Sequence, residues 1–288
     1  MAEGFGSQDC DLLIALHAGH SAESIDRFKK QRPAKPVIVA ITGTDLHVEL
    51  QTPTLAKPVL TSLAIADRIV MLEPEGAKRL KPKLREKVDV IFQSASRIEP
   101  EPVPLKRFFE VTVIGHLREV KDPFRTAEAV KLLPRRSRVR LAHIGKALNR
   151  QMETVARRET EKNPRYRWLG RLPHGATQKR LARSHLTVLS SRVEGAPSVI
   201  SEAVVNDVPI LATRIDASIG LLGADFPGLF DVGDTESLAK LIELAESDSR
   251  FYRRLVTAGK RVKGQFIRTA EISSWRKLLS RIEKLVGK

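Results

Sequence analysis

The sequence is poor in cysteine and aromatic residues and has no long apolar run. A single cysteine, Cys10, among 288 residues excludes a disulfide framework and a cysteine metal cluster, and it fits a reducing cytoplasm. No apolar run reaches the roughly 18 residues that a membrane-spanning helix needs. The N-terminus, MAEGFGSQDCD, lacks the basic and apolar segments of a signal peptide. We therefore expect a globular protein of the cytoplasm.

Positive charge is abundant. Fifty Lys and Arg residues against thirty-four Asp and Glu residues give a formal net charge of +16, which attracts nucleic acid, anionic lipid or phosphorylated small molecules. Aromatic residues make up only 5% of the chain, too few for an obvious base-stacking platform, and the chain has no zinc-finger or RNA-recognition motif. The composition favours no specific nucleic acid. It leaves peripheral membrane contact and the oligomeric state open.

Short β-branched runs alternate with amphipathic stretches, a pattern typical of parallel sheets covered by helices. The predicted strands are 11–18, 35–43, 67–73, 87–93, 109–117, 138–145, 166–173, 185–191, 208–213 and 229–233. The proline-rich stretch 96–108 can continue neither a helix nor a central strand, which indicates an interdomain linker. We expect two doubly wound, Rossmann-like α/β domains. They comprise 1–106 and 107–262, followed by a helical segment, 263–288, that packs back toward the N-terminal domain.

Two strand-to-helix junctions carry candidate binding residues, because ligands of open α/β sheets lie beyond the carboxyl ends of strands. The first junction is VIGHLREVKDPFR, in which Gly115, His116, Arg118 and Lys121 precede a helix that we expect to begin at Asp122. Backbone donors and two permanent cations suit a diphosphate. The alternative is an ordinary loop with solvated charges.

The second junction is EGAPSVISEA, which places seven residues between Glu194 and Glu202. Gly195 allows a sharp turn or a close approach to a ligand, and Pro197 suits the start of a helix whose free N–H groups favour an anion. Carboxylates can accept hydrogen bonds from vicinal hydroxyls of a sugar or ribose. Alternatively, Glu202 is a first-turn helix glutamate and Glu194 a surface loop residue.

Residues 109–233 resemble the donor-binding half of the retaining GT-B glycosyltransferases of the family 4 type (glycosyl transferases group 1). The motifs that carry the resemblance are VIGHLREVKDP, YRWLGRLPH, VPILATR, GLFDVGDTESLAKLI and above all EGAPSVISEA, which matches the family's Glu-x7-Glu motif. The resemblance implies the GT-B fold, with the N-terminal domain on the acceptor side. It also implies a nucleotide-sugar substrate, no cofactor and no metal.

The resemblance assigns roles to particular residues. The first glutamate, Glu194, would hold hydroxyls of the donor sugar, and Glu202 would hold the ribose. Lys121 would bind the diphosphate, and Arg118 would supply the charge that the family places at the position of His116. The expected catalytic residues are Glu194, Lys121 and Arg118. The expected donor-binding residues are Gly115, His116, Arg171, Gly195, Ala196, Pro197, Ser198, Val199 and Glu202.

The N-terminal segment ITGTDLH is similar to the family's acceptor-side His-Gly-x-Asp loop, which adds Gly43, Thr44 and Asp45 as candidates. Asp45 is either a helix cap or a carboxylate facing the cleft. His17, at the end of the first strand, is either an acid/base or anion-binding group of the acceptor side or an ordinary loop residue.

The chain is most similar to one subgroup, the selenosugar synthases of selenoneine biosynthesis, on segments that include LLIALHAGHSAESI and VAITGTDL. This implies a UDP-hexose or UDP-N-acetylhexosamine donor and selenophosphate as acceptor. A hydroxyl acceptor, or a truncated nucleotide-sugar-binding protein without turnover, are the alternatives. The resemblance implies that the sequence starts beyond the opening strand, Gly-rich loop and helix of this architecture. We therefore expect an incomplete N-terminal sheet with an uncovered apolar face or edge.

Overall fold

The computed structural model describes residues 4–6, 9–100, 102–104 and 106–286, which form two compact units. Unit 1 comprises the described residues of 1–93, 194–196 and 268–288. Unit 2 comprises the described residues of 94–193 and 197–267. The first division follows Gln93 rather than residue 106, so most of the predicted linker belongs to unit 2. There, Asn206 accepts a hydrogen bond from the backbone N–H of Ile98 (2.9 Å) and donates one to the carbonyl of Ser96 (3.2 Å).

The elements follow the predicted alternation of strands and helices. The strands are β1 Leu13–Leu16, β2 Val37–Ala40, β3 Arg68–Met71, β4 Val88–Val90, β5 Phe109–Ile114, β6 Val139–Ile144, β7 Tyr166–Trp168, β8 Leu186–Leu189, β9 Ile210–Thr213 and β10 Leu229–Phe230. The helices are α1 Ala22–Gln31, α2 Pro53–Ile65, α3 Pro82–Arg85, α4 Arg125–Lys131, α5 Arg150–Lys162, α6 His174–Ala182, α7 Ser198–Val205, α8 Asp216–Leu222, α9 Thr235–Ser247, α10 Ser249–Val262 and α11 Arg268–Val286. None of the helices in the described ranges is long and apolar enough to cross a membrane.

Unit 1 is built on a parallel sheet with the strand order β1-β2-β3-β4. One face packs against α1 and α2, with Phe28 and Leu63 fully buried. The other face packs against α11, whose Leu278 and Ile282 join Ile38 in a second core. Each such buried side chain contributes about 1.5–3 kcal/mol through loss of apolar contact with water. The segment that contacts the sheet is thus 268–286, whereas 263–267 remains in unit 2.

The β1 side of this sheet has an uncovered apolar row. Ile14 and Leu16 pair in register with Ile38 and Ala40. Successive side chains of a strand alternate between the two faces, so all four occupy the face on which α11 packs. Ile38 and Ala40 are buried, but Ile14 is 42% and Leu16 48% exposed. The expected uncovered apolar edge is present in unit 1.

Unit 2 contains a six-stranded parallel sheet with the strand order β10-β9-β8-β5-β6-β7. The chain starts at the central strand β5 and runs outward through β6 and β7. It then crosses to the other side of β5 and continues outward through β8, β9 and β10. The strand order therefore switches direction between β5 and β8, the position at which open α/β sheets bind ligands.

Asp122 does not begin the helix after β5 as the sequence suggested. Its backbone is left-handed (φ 43°), and α4 starts three residues later, at Arg125. Its carboxylate instead accepts a hydrogen bond from Nε of Arg125 at 3.0 Å. The result is a longer loop beyond β5, with a short 3₁₀ helix at Glu119–Lys121.

Candidate active site

A cavity of about 530 Å³ lies at the switch point of the unit 2 sheet. The loops after β5, β6 and β7 form one side of it, and α6 and α7 form the other. Its lining residues are Ile114, Gly115, His116, Arg118, Lys121, Ile144, Gly145, Leu148, Arg171, Leu172, His174, Thr177, Gln178, Ser198 and Glu202. Seven predicted site residues meet here: Gly115, His116, Arg118, Lys121, Arg171, Ser198 and Glu202. The cavity thus combines three permanent cations with one carboxylate.

The floor of the cavity depends on two glycines at strand ends. A Cβ atom on Gly145 would overlap the carbonyl oxygen of Gly115, so the loops after β5 and β6 pack backbone against backbone. Only glycine permits so close an approach. The indole N–H of Trp168 donates to the carbonyl of Gly145 at 2.8 Å and fixes the position of the loop after β6. Trp168 therefore stabilises the loop after β6.

A buried histidine lies directly beneath this floor. His143, 1% exposed, has Nε2 at 3.3 Å from the carbonyl oxygen of Gly115 and Nδ1 at 3.1 Å from the hydroxyl of Tyr166. Because a carbonyl only accepts, Nε2 carries the proton, and the Tyr166 hydroxyl donates to Nδ1. Burial lowers the pKa of His143 to about 4, and burial also raises the pKa of Tyr166. The pair is neutral at physiological pH and holds the first loop by hydrogen bonding.

His116, Arg118 and Lys121, all in the loop after β5, line the cavity and differ in their solvent exposure. The backbone N–H of Lys146 donates to Nδ1 of His116 at 3.1 Å. The neutral ring therefore carries its proton on Nε2, which can donate to an oxygen-rich ligand. Arg118 is exposed, and Lys121 is half-buried at the end of the 3₁₀ helix. These three side chains can supply hydrogen bonds and positive charge to phosphate oxygens.

The cationic loop is tied to the end of β8. The backbone N–H of Arg192 donates to the carbonyl of Val120 at 2.8 Å, and the Ser190 hydroxyl donates to the carbonyl of Asp122 at 3.0 Å. Both donors follow β8, the strand on the far side of the switch point. The positions of Arg118 and Lys121 therefore depend on the register of two neighbouring strands.

Helix α7 places Ser198 and Glu202 one turn apart, on the same helix face. Pro197 precedes the helix as its N-cap residue, and the first turn contains no acidic residue. Glu202 is thus a second-turn residue that faces the cavity, and the alternative of a first-turn glutamate is wrong. The N–H groups at the start of α7 have no intrahelical acceptor, so this end of the cavity favours an anion.

Other predicted donor residues do not line the cavity. Glu194, Gly195 and Ala196 are grouped with unit 1. Pro197 caps α7, and Val199 is a buried residue of the core. Eight lining residues were not anticipated as site residues: Ile114, Ile144, Gly145, Leu148, Leu172, His174, Thr177 and Gln178. Their positions at the ends of β5, β6 and β7 or in α6 were the available signal, but seven of them carry no ionisable group, and only Ile114, Leu172 and His174 lie in a quoted motif.

In unit 1, Asp45 stabilises the loops that follow β1 and β2. Its buried carboxylate, 1% exposed, accepts hydrogen bonds from the backbone N–H groups of Ala18 (3.0 Å), Thr42 (3.1 Å), Gly43 (2.8 Å) and Leu46 (3.2 Å). Four backbone donors occupy both oxygens. Of the two interpretations left open by the sequence, the structure matches the one in which Asp45 satisfies backbone groups, which corrects its assignment as a substrate ligand.

Gly43 and Thr44 belong to the same loop, and His17 contacts it. Gly43 has a φ of 125°, which glycine adopts without strain. Nε2 of His17 is 2.9 Å from the Thr44 hydroxyl. His17 itself is buried and left-handed (φ 70°), an uncommon conformation for a residue with a side chain. The structure therefore gives His17 a fixed position in the loop rather than a mobile one.

His17, His20 and Glu49 form a cluster that the sequence spacing did not reveal. The two imidazole rings stack with centroids 3.8 Å apart, and Nε2 of each ring lies 3.6 Å from the Glu49 carboxylate. All three could serve as metal ligands. However, Nδ1 of His17 accepts the backbone N–H of His20 at 3.1 Å, so the proton of the neutral ring is on Nε2. In this tautomer Nε2 donates to the Thr44 hydroxyl at 2.9 Å and has no free lone pair for a metal, so His17 stabilises the loop by hydrogen bonding.

Comparison with solved structures identifies the fold. HepE from Anabaena in complex with UDP superposes with a TM-score of 0.78 at 15% identity, covering 94% of this chain and 79% of that chain. Sucrose-phosphate synthase from Thermosynechococcus elongatus gives 0.77 at 15% identity, with coverages of 96% and 74%. HepE in complex with UDP-glucose gives 0.74 at 16% identity, with coverages of 94% and 79%. The predicted GT-B fold is confirmed.

No curated protein matches the sequence. The family model of the glycosyl transferases group 1 matches residues 95–262, more than half of the chain. That segment contains the switch point of the unit 2 sheet and every residue that lines the cavity. The protein belongs to the glycosyl transferases group 1.

Proposed function

We propose that the protein is a retaining glycosyltransferase that uses a UDP-hexose or UDP-N-acetylhexosamine as donor and selenophosphate as acceptor. The observation that carries the donor assignment is the cavity at the switch point. It combines Arg118, Lys121 and Arg171 with the carboxylate of Glu202. A nucleoside diphosphate has the complementary chemistry, because its phosphates require cations and its ribose hydroxyls require an acceptor. Solved neighbours with UDP and UDP-glucose support the choice of donor.

The cavity residues would divide the donor between them. Arg118 and Lys121, with the N–H groups at the start of α7, would bind the diphosphate and stabilise the negative charge that develops on it as it leaves. Glu202 would accept hydrogen bonds from the ribose hydroxyls, and Arg171 would stack on the uracil. Glu194 would hold hydroxyls of the donor sugar, a role that rests on the Glu-x7-Glu motif alone. The reaction would need no cofactor and no metal.

The proposed reaction is a same-face displacement at the anomeric carbon. A selenium lone pair of selenophosphate forms the carbon–selenium bond, while the bond from that carbon to the β-phosphate oxygen breaks. UDP leaves with the bonding electron pair. Water then cleaves the phosphorus–selenium bond and releases phosphate and the selenosugar. The acceptor rests on the sequence resemblance, and the +16 net charge suits two anionic substrates in the cytoplasm.

Calorimetry with UDP and with uridine tests the donor site. Glu202→Gln should weaken both ligands about tenfold or more, because a hydrogen bond to a charged acceptor contributes about 1.5–3 kcal/mol. Arg118→Ala should weaken the binding of UDP strongly and the binding of uridine only slightly, because uridine has no phosphate. Glu161→Gln, an exposed glutamate of α5 outside the cavity, is the matched control. If Glu202→Gln binds UDP as wild type does, the donor assignment is wrong.

Mass spectrometry of the products tests the acceptor separately. The enzyme is supplied with UDP-glucose or UDP-N-acetylglucosamine and with selenophosphate, thiophosphate or a panel of alcohols. A selenosugar formed only with selenophosphate supports the proposal, and NMR of its anomeric proton shows whether the configuration of the donor is retained. Transfer to an alcohol instead would identify a conventional glycosyltransferase. Tight UDP binding without any product would identify a binding protein.

A further inference from the structure

Helix α10 presents arginine along one face and apolar side chains along the other. Phe251 and Leu255 are buried in the core of unit 2. The residues on the outward face recur every three or four positions, which places them in one stripe. They are Arg250, Arg253, Arg254, Thr257, Ala258 and Arg261. Because the inward face is packed, the stripe is held in place by the fold.

The stripe lines a groove rather than a convex surface. Together with Asp225 and Pro227, from the segment between α8 and β10, it encloses about 520 Å³. We name it the arginine groove. It shares no residue with the cavity at the switch point. It is therefore a second concave site within unit 2.

The four guanidinium groups of the groove lack partners of opposite charge. Within the described ranges, no carboxylate lies at ion-pair distance from Arg250, Arg253, Arg254 or Arg261, and all four residues are exposed. Two arginines elsewhere in unit 2 are ion-paired, Arg125 with Asp122 and Arg180 with Glu110. The single carboxylate of Asp225 leaves the groove with a formal charge of +3. This charge favours an anionic ligand.

The shape and composition of the groove narrow the choice of anion. Arginine forks match phosphate oxygens, and Thr257 adds a hydroxyl donor. The groove contains no aromatic side chain on which a base could stack. Since the apolar face of α10 is packed inward, the helix has nothing to insert into a bilayer. From Arg250 to Arg261 the stripe is about 16 Å long at 1.5 Å per residue, enough for several consecutive phosphates.

We propose that the arginine groove binds a linear polyphosphate chain of three or more phosphates, either inorganic or attached to a nucleoside. The site is independent of the donor site, and its ligand is recognised through phosphate rather than through a base or sugar. Two phosphates can engage adjacent turns of the helix through Arg250 with Arg254 and through Thr257 with Arg261. Arg253 completes the wall between them.

Calorimetric titration with inorganic tripolyphosphate tests the proposal, with UDP present to occupy the donor cavity. The charge reversal Arg253→Glu/Arg254→Glu should weaken binding about tenfold or more, since it removes two charge-assisted contacts and adds repulsion. The control Arg135→Glu/Arg136→Glu changes the net charge equally at two exposed arginines outside the groove and should have at most a twofold effect. Arg253→Gln/Arg254→Gln is the milder variant if the reversal impairs folding.

The remaining outcomes also decide the question. Equal weakening in both reversal variants, or the lack of saturable binding, would overturn the proposal in favour of a general charge effect. The same holds if the groove variants lose binding to duplex RNA or phosphatidylserine vesicles but not to tripolyphosphate. ATP binding as tight as tripolyphosphate indicates the phosphate chain alone as ligand, whereas tighter ATP binding indicates a nucleoside polyphosphate. If UDP does not bind, the variants can still be compared, because Arg118 and Lys121 of the donor cavity are the same in every one of them.

Discussion

Acidification should destabilise the protein through His143, the buried histidine beneath the cavity. Its pKa is about 4 in the folded protein, against 6.5 for an exposed histidine. Below pH 6.5 His143 therefore binds a proton in the unfolded chain, whereas in the folded protein it stays neutral down to about pH 4. The contribution of the neutral His143 to the free energy of unfolding is complete above pH 6.5 and is lost as the pH falls toward 4. From these two pKa values the loss is about 2 kcal/mol at pH 5 and about 3 kcal/mol below pH 4.

His143→Phe removes the titrating group and tests this reasoning. At pH 7.5 the variant should be less stable by about 2–4 kcal/mol, because the Tyr166 hydroxyl and the Gly115 carbonyl both lose a buried partner. Between pH 7.5 and pH 5, however, it should lose about 2 kcal/mol less stability than wild type. Burial also lowers the pKa of His185, but this residue titrates in both proteins and its contribution cancels.

Urea unfolding followed by tryptophan fluorescence at several pH values provides the measurement. The quantity to compare is the free energy of unfolding of wild type minus that of the variant, as a function of pH. A difference that narrows toward acid supports a neutral His143 that holds the Gly115 loop. Parallel curves from pH 7.5 to pH 5 would refute the assignment, since they would mean that His143 has an ordinary pKa in the folded protein.

Three further substitutions have clear expected outcomes. Gly145→Ala forces the loop after β6 away from the Gly115 carbonyl, so calorimetry should show UDP binding weakened about tenfold or more, and unchanged affinity would show that the close approach is dispensable. Asp45→Asn replaces one of two fully occupied carboxylate oxygens with a donor, and should lower the free energy of unfolding by about 2–3 kcal/mol in urea; a change below about 0.5 kcal/mol would contradict the hydrogen-bond assignment. Glu110→Gln removes the buried negative charge that pairs with Arg180 and should cost about 3 kcal/mol by the same assay, an estimate that a near-neutral result would overturn.

The strands could be predicted closely because their signal is local. All ten predicted strands are present, since each is a short apolar, β-branched run between polar segments. Several predicted ends extend too far, as in 109–117, where β5 stops at Ile114. The residues that follow are Gly115, His116 and Leu117, and Gly115 and His116 line the cavity instead of continuing the strand. Sequence pattern does not distinguish a strand from the loop that continues it.

Several charged residues of the cavity could be recognised in the sequence, whereas most of its neutral residues could not. Arg118 and Lys121 attract notice in any sequence, and Glu202 belongs to a spaced motif. Thr177 and Gln178 reach the cavity only because β7 pairs with β6 and carries α6 to the same edge. That pairing joins segments that are distant in the chain, so no local sequence pattern predicts it. The division between the units follows Gln93 for a similar reason, because Asn206 bonds Ser96 and Ile98, which precede it by more than a hundred positions.

By itself, the sequence determined the class of fold, the order of strands and helices, and the chemistry at the ends of β5 and β8. Those properties follow from hydrophobic periodicity and from residue type, which each segment carries alone. Tertiary structure decided the protonation of His143, the occupation of the Asp45 carboxylate, the meeting of His17 with Glu49 and the alignment of the arginine groove. The first three depend on groups from different segments of the chain, which meet only once the sheet has formed. The arginines are aligned by the periodicity of α10 itself, and the fold adds Asp225 and Pro227 to complete the groove.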